Sequence, residues 1–323
     1  MKRFFYGIGH CMVDYFAQNV EQNIFEAIKK TSPMHLESND FSKIFSQISP
    51  QTKRLGGTSI NILKKLASLG EKCLFSGSTG TFNQNEDDNA LFIKSELSKQ
   101  GIEFQIFSRE NSTGQFLTVY NSDCEKAVVV SVGAAKEIEV AQVNEIRFAH
   151  CSCFIMEGMQ FMNQQVLEQI VDFAFRYNIL LVIDCGTVFG AEAVAKRLED
   201  IGSSLDIVLF ANEGEGDALK QHLENPEAHC ALYVEKHGEN GATAYFNGEK
   251  LEQPAYPVKK LEKENGNCME DTGAGDVFAG SFLYKFFKEQ TGYDLKFDKE
   301  IVKQAMDFAA LEASKHIENF SFE

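Results

Sequence analysis

Phe148-Ala149-His150-Cys151-Ser152-Cys153-Phe154-Ile155, Ile179-Leu180-Leu181-Val182-Ile183-Asp184 and Asp206-Ile207-Val208-Leu209-Phe210 are three apolar runs of strand length. Between them, residues 163–177 and 191–199 repeat apolar side chains at helical spacing. Strand, helix, strand, helix, strand with no tight turn between strands predicts a mostly parallel sheet covered by helices on both faces. Upstream, residues 4–9 form the expected first strand and 60–69 a helix closed by Gly70. Residues 72–76 continue as a strand and 90–99 as a helix closed by Gly101. Two regions leave this rhythm. Residues 113–120 and 126–132 flank Asn121-Ser122-Asp123 and read as a hairpin, and residues 12–54 do not continue the alternation. Together they predict a small β-rich flap. Late in the chain, 242–246 and 250–252 flank Asn247-Gly248, a strong two-residue hairpin signal.

Composition removes several function classes. The formal charge is −16, and no basic cluster offers the phosphate contacts of a nucleic-acid binder. The longest apolar runs are far short of a membrane span. Lys2-Arg3 precedes only a brief Phe4-Phe5-Tyr6 run, so no signal peptide is expected and the chain reads as cytoplasmic. Eight cysteines without a CxxC are expected to be reduced thiols, with Cys151 and Cys153 on one face of a buried strand. The absence of any Gly-Lys dipeptide excludes a Walker-type phosphate loop. Gly7-Ile8-Gly9 lacks the third glycine of a dinucleotide fingerprint.

The most informative segment for chemistry is Met269-Glu270-Asp271-Thr272-Gly273-Ala274-Gly275-Asp276-Val277-Phe278-Ala279-Gly280. Val277, Gly280, Phe282, Leu283 and Phe286 recur at helical spacing, so small residues run into a helix start. Bare N–H groups there, with roughly half a positive charge from the helix dipole, make a cradle for an anion such as a transferring phosphoryl group. Asp276 puts a carboxylate beside that cradle, the minimum equipment for moving phosphate onto a hydroxyl. An ordinary helix start with a dipole-favoured Asp would look the same.

Four further segments sit where ligands of a parallel sheet bind. Gly7–Asp14 carries an acid just past the first strand. Gly56-Gly57-Thr58-Ser59-Ile60-Asn61 offers close backbone approach and an amide one turn later. A carboxylate and an amide suit a vicinal diol, whose hydroxyls both donate and accept. Asn212-Glu213-Gly214-Glu215 follows a strand and has glutamates suited to water-bound magnesium. Lys236-His237-Gly238-Glu239-Asn240-Gly241 follows another and suits a nucleotide site. Each is also readable as a turn, a cap or a solvated face.

The order of these elements resembles the PfkB/ribokinase family of small-molecule kinases over nearly the whole chain. The resemblance implies a three-layer α/β/α domain with a β-rich lid. Residues 1–11, 55–108 and 133–323 would form the main body, and 12–54 and 109–132 the lid. It implies Asp276 as base with Gly273, Ala274 and Gly275 as the anion hole. It also implies Asp14, Gly57, Thr58 and Asn61 around the acceptor. Asn212, Lys236, Gly238, Gly241, Ala305 and Ala309 would bind the nucleotide, with Glu215 for the metal. ATP and Mg2+ are the implied cofactors, and a sugar or nucleoside primary hydroxymethyl the implied acceptor. A long insertion before Gly56, Ser112-Thr113-Gly114 and Met156-Glu157-Gly158 are most similar to the adenosine-kinase branch. This chain departs from the family at His10, at Lys126 where a lid Arg is usual, at Lys236 where Thr or Ser is usual, and at Glu270-Asp271-Thr272. The alternative is a degenerate homologue that senses a sugar or nucleoside without catalysis. An exposed lid edge leaves a monomer and a lid-mediated homodimer both open.

Overall fold

The computed structural model describes residues 4–258, 268, 271–291 and 294–319. Its strands are β1 (Phe4–Ile8), β2 (Met12–Ala17), β3 (Met34–His35), β4 (Thr52–Gly56), β5 (Lys72–Phe82), β6 (Asn85–Glu86), β7 (Glu103–Arg109), β8 (Gly114–Tyr120), β9 (Lys126–Ser131), β10 (Cys153–Glu157), β11 (Leu180–Asp184), β12 (Ile207–Asn212), β13 (Leu232–Lys236), β14 (Ala242–Phe246) and β15 (Glu249–Gln253). The helices are α1 (Gln22–Lys29), α2 (Ser38–Phe45), α3 (Thr58–Ser68), α4 (Asp88–Lys99), α5 (Glu145–Phe148), α6 (Gln164–Tyr177), α7 (Val188–Gly202), α8 (Glu213–His222), α9 (Ala274–Glu289) and α10 (Lys299–Glu318).

The larger sheet runs β15-β14-β13-β12-β11-β10-β1-β5-β6, with β7 also on β5. From β7 through β5, β1 and β10 to β13 every pairing is parallel; β14, β15 and β6 join antiparallel. The side-chain period of two sorts each central strand between two cores. Cys153 and Ile155 of β10 face one core, with α3, α9 and α10; Phe154 and Met156 face the other, with α6, α7 and α8. Burial on both faces is why these strands read as unbroken apolar runs. α6 starts where the Asn163 side chain accepts from the Val166 N–H, and it buries Val166, Leu167, Ile170, Phe173 and Ala174. Among the described residues, no helix is long and apolar enough to cross a membrane.

The second sheet, ordered β3-β9-β8-β2-β4, is the expected flap, and β8 and β9 form its hairpin. It is not purely β. Residues 22–29 and 38–45 form α1 and α2, anchored by the fully enclosed Phe25, Ile28 and Phe41. Two other expectations fail. The strand expected over 148–155 begins at Cys153, because Phe148 closes α5, whose start is capped by Asn144 accepting from the Arg147 N–H. Phe148 is buried through its ring contacts with Phe154 and Phe173, and apolar periodicity cannot tell such a helix end from a strand. The cysteines are not all thiols: Cys124, in the β8–β9 turn, is bonded to Cys268 with their Cα atoms 5.3 Å apart. Their separation of 144 residues gives no spacing signal. Cys11, Cys73, Cys151, Cys153, Cys185 and Cys230 are free.

Candidate active site

Four neighbouring parallel strands end on polar side chains: Glu157 on β10, Asp184 on β11, Asn212 on β12 and Lys236 on β13. Glu157 lies beside Asp184 in register, and Asn212 beside Lys236. The carboxyl edge of a parallel sheet is where α/β folds bind ligands. Above this row the start of α9 arrives. Gly273 caps it at φ +85°, a left-handed conformation that favours glycine. Among the described residues, no side chain caps this helix. The Ala274 N–H donates to the Asp271 carbonyl at 3.0 Å, and the Val277 N–H to the Gly273 carbonyl. The second and third amides, on Gly275 and Asp276, have no intrahelical acceptor. The cradle therefore rests on those two amides, and Ala274 is already engaged.

Asp276 stands in the first turn of α9, and its Oδ2 accepts from Asn61 Nδ2 at 2.9 Å. Part of the residue still touches solvent. Burial of the carboxyl, reinforced by the negative charge of Asp184, pushes its pKa up to about 8, against the pull of Lys236 and Asn61. Asn61 is held by α3, whose start follows Gly57 at φ +102°. A side chain at Gly57 would meet the His10 carbonyl at 2.2 Å. Asp14 on β2 is buried, and its carboxylate occupies the place a side chain at Gly56 would need. A cleft of about 230 Å³ joins Asp14, Arg54, Asn61, Lys64, Gly273 and His316. Lys64 donates to the Leu55 carbonyl and to Asn61 Oδ1, both at 3.2 Å, and burial lowers its pKa. Of the expected acceptor residues, Asp14 and Asn61 line this cleft, whereas Gly57 and Thr58 do not.

The strand ends hold a charged row. Lys236 Nζ donates to Asp184 Oδ2 at 2.8 Å, with both side chains nearly enclosed. Burial pulls the Lys236 pKa down, but Asp184 and Glu215 outweigh it and the net shift is upward. Glu215 and Asn212 close a capping box at the start of α8: the Glu215 N–H donates to Asn212 Oδ1 at 3.0 Å, and the Asn212 N–H to Glu215 Oε2 at 2.9 Å. Burial, with Asp184 next, raises the Glu215 carboxyl to about 7. Two crowded carboxylates are what a divalent cation relieves, and Mg2+ commonly takes one or two carboxylates plus substrate phosphates. Among the described residues, no three His, Cys, Asp or Glu side chains are grouped for a metal by themselves.

The remaining expected residues divide. Gly238 has φ +55° and open space around it, whereas Gly241 shapes the β13–β14 connection, its carbonyl accepting from the His237 N–H at 2.7 Å. Ala305 and Ala309 have no exposed surface and belong to the apolar core around α9 and α10, so they do not line a nucleotide cleft. Their small side chains suit the close packing of α10 on this core. Lys126, at the start of β9, donates to Asp271 Oδ1 and Thr272 Oγ1, each at 3.1 Å. Glu270 lies outside the described residues.

Two residues were missed. Asp184 pairs with Lys236, and its signal was an acid ending an apolar strand. Glu157 is buried and accepts from the His10 N–H and, at 3.0 Å, the Ser59 N–H, clamping the β1–β2 turn to the start of α3. Burial raises its pKa, opposed by His10 and by those donors.

The sequence pattern of pfkB family carbohydrate kinases matches residues 36–321. A 5-dehydro-2-deoxygluconokinase of Geobacillus thermodenitrificans is 24% identical over 272 residues, covering 77% of each chain. One from Clostridium beijerinckii is 25% identical over 270 residues, covering 76% of each. The fold is similar to adenosine kinase from Sinorhizobium meliloti, with TM-score 0.81 at 19% identity over 98% of this chain and 94% of that one. It is also similar to ribokinase from Thermotoga maritima, with TM-score 0.70 at 18% identity over 100% and 95%.

Proposed function

The chain belongs to the pfkB family of carbohydrate kinases, phosphotransferases with an alcohol group as acceptor, and from that premise we propose that it moves the γ-phosphoryl of ATP, with Mg2+, to a primary hydroxymethyl of a sugar or nucleoside. One observation carries this reading: Asp276, in the first turn of α9, is gripped by Asn61, which lines the acceptor cleft together with Gly273 at the start of that helix. Asp14 and Asn61 hold the acceptor's hydroxyls. Asp276 takes the proton of the attacking hydroxyl, a role contributing ~10²–10⁴-fold when the base is well placed. The amides of Gly275 and Asp276 meet the charge developing on the phosphoryl group, where losing one donor costs ~10²–10³-fold. Glu215 would hold Mg2+, which would supply positive charge against the phosphates. Residues 1–11, 55–108 and 133–323 form the catalytic body, and the flap of 12–54 and 109–132 acts as the lid that excludes water.

The cationic lining of the cleft, Arg54 and Lys64, favours an acceptor that also bears an anionic group. The relatives named as 5-dehydro-2-deoxygluconokinases supply the matching candidate. The test is ADP release with ATP and Mg2+ across adenosine, inosine, guanosine, cytidine, ribose, fructose, fructose 6-phosphate, 2-keto-3-deoxygluconate and 5-dehydro-2-deoxygluconate. Turnover with an acidic sugar and none with neutral ones is the expected result. Preference for adenosine would overturn the acidic-acceptor reading, and nucleotide binding with no turnover on any acceptor would favour a sensor.

A further inference from the structure

We infer that Lys236 is a catalytic residue: its ammonium leaves Asp184 to contact the phosphoryl group in transfer. This rests on the kinase reading above. The geometry is local. A side chain built on Gly275 would find Lys236 Nζ at 3.2 Å, so the ammonium lies directly against the start of α9 where the cradle opens. The same ammonium is 2.8 Å from Asp184 Oδ2. The Phe210 ring lies nearby, with its centroid 5.9 Å from Nζ. Asp184, Glu215 and Asp276 all act electrostatically on this one cation.

Three acidic side chains around one buried lysine make a poor purely structural pair. Taking ions from water is costly, and well-packed apolar residues of similar size usually serve stability at least as well. They make good sense as a poised cation. An entering phosphoryl group adds negative charge where carboxylates already crowd, so a mobile positive charge is needed on the floor of the site. The lid does not supply it from Lys126, which is engaged by Asp271 and Thr272. In the transfer step the bond from the γ-phosphorus to the bridging β-oxygen breaks, its electron pair leaving with ADP. The bond from phosphorus to the acceptor oxygen forms, and the hydroxyl proton passes to Asp276. Lys236 keeps its proton throughout and stabilises charge on the non-bridging oxygens.

The experiment compares the native protein with Lys236→Met, Lys236→Arg and the double variant Lys236→Met/Asp184→Asn. Binding of ADP alone and of ADP with aluminium fluoride is measured in Mg2+, the fluoroaluminate standing in for the phosphoryl group in flight. Lys236→Met should bind ADP as the native protein does yet lose at least ~10²-fold for ADP with fluoroaluminate. Its kcat on any acceptor found above should fall similarly with KM for ATP little changed, and Lys236→Arg should restore part of both. The double variant leaves no buried unpaired carboxylate at 184, so the same loss in a protein with native melting behaviour excludes a folding artefact. Equal loss of ADP and fluoroaluminate binding would make Lys236 a nucleotide anchor and overturn the inference. Unchanged binding and turnover in either Met variant would reduce the pair to a structural one. If the native protein binds no nucleotide, the kinase reading itself falls; if it does and the variants match it, only the role of Lys236 falls.

Discussion

Asp276→Asn should sharply lower turnover and stabilise the protein, and the second effect should depend on pH. Burial and Asp184 raise the Asp276 carboxyl from its ordinary 3.8 to about 8. Between those values the folded protein holds a proton that the unfolded chain has released. Native stability therefore falls as pH rises through this window and is flat below ~4 and above ~8. Each pKa unit corresponds to ~1.4 kcal/mol, so the full loss is on the order of 5 kcal/mol. Water reaching the partly exposed residue cuts that toward ~2 kcal/mol. The amide of the variant does not titrate and escapes the loss. At ~2 cal/mol/K per residue the unfolding entropy of 323 residues is ~0.7 kcal/mol/K. The variant should then melt roughly 3–7 °C above the native protein near pH 8 and within a degree or so of it near pH 4. Thermal melts without nucleotide across pH 4–9 measure the gap, and steady-state rates measure kcat, expected to fall ~10²-fold or more. The native kcat/KM should also fall about tenfold per pH unit below the Asp276 pKa, because the base works ionised. A melting gap that does not change with pH would refute the buried, proton-holding carboxyl. Near-native turnover in the variant would remove Asp276 from its role as base.

Gly275→Val should lower kcat with the fold retained, since the added carbon meets only the flexible end of Lys236 at 3.2 Å; circular dichroism showing unfolding would make position 275 a core turn instead. Asp14→Ala leaves acceptor hydroxyls unpaired, and with charge-assisted hydrogen bonds contributing ~1.5–3 kcal/mol each, kcat/KM should drop at least ~10²-fold while ATP binding stays normal. An equal fall in ATP affinity would move Asp14 out of the acceptor site. In denaturant without reductant, six of the eight cysteines should react with a thiol reagent, and Cys124→Ser should lower stability by up to ~5 kcal/mol through the lost loop closure. Eight reactive thiols would mean Cys124 and Cys268 are not joined.

Much of this site was legible because it lies where strands stop. An apolar run ending on Asp184, Asn212 or Lys236 announces a polar group at the carboxyl edge of a parallel sheet, and Gly273 before a helical apolar pattern announces a bare helix start. What such a reading lacks is lateral order. Asp184 and Lys236 are 52 residues apart in the chain and meet only because β11, β12 and β13 lie side by side. The same gap hid the Cys124–Cys268 bond and the grip of Glu157 on the Ser59 amide. Local ambiguity accounts for the rest. Ala305 and Ala309 carry the small apolar faces that either a ligand wall or a tight helix pair would use, and the core claimed them. Asn212 and Glu215 form a capping box, and Glu215 is also the carboxylate proposed for the metal, so spacing alone could not choose. The two roles are compatible. The box engages one Glu215 oxygen, Oε2, through the Asn212 N–H, and so fixes the carboxylate against the backbone. The local signal that reads as an ordinary cap is therefore the device that would orient a metal-binding carboxylate. That is why the bland and the functional readings of this segment were never separable by spacing.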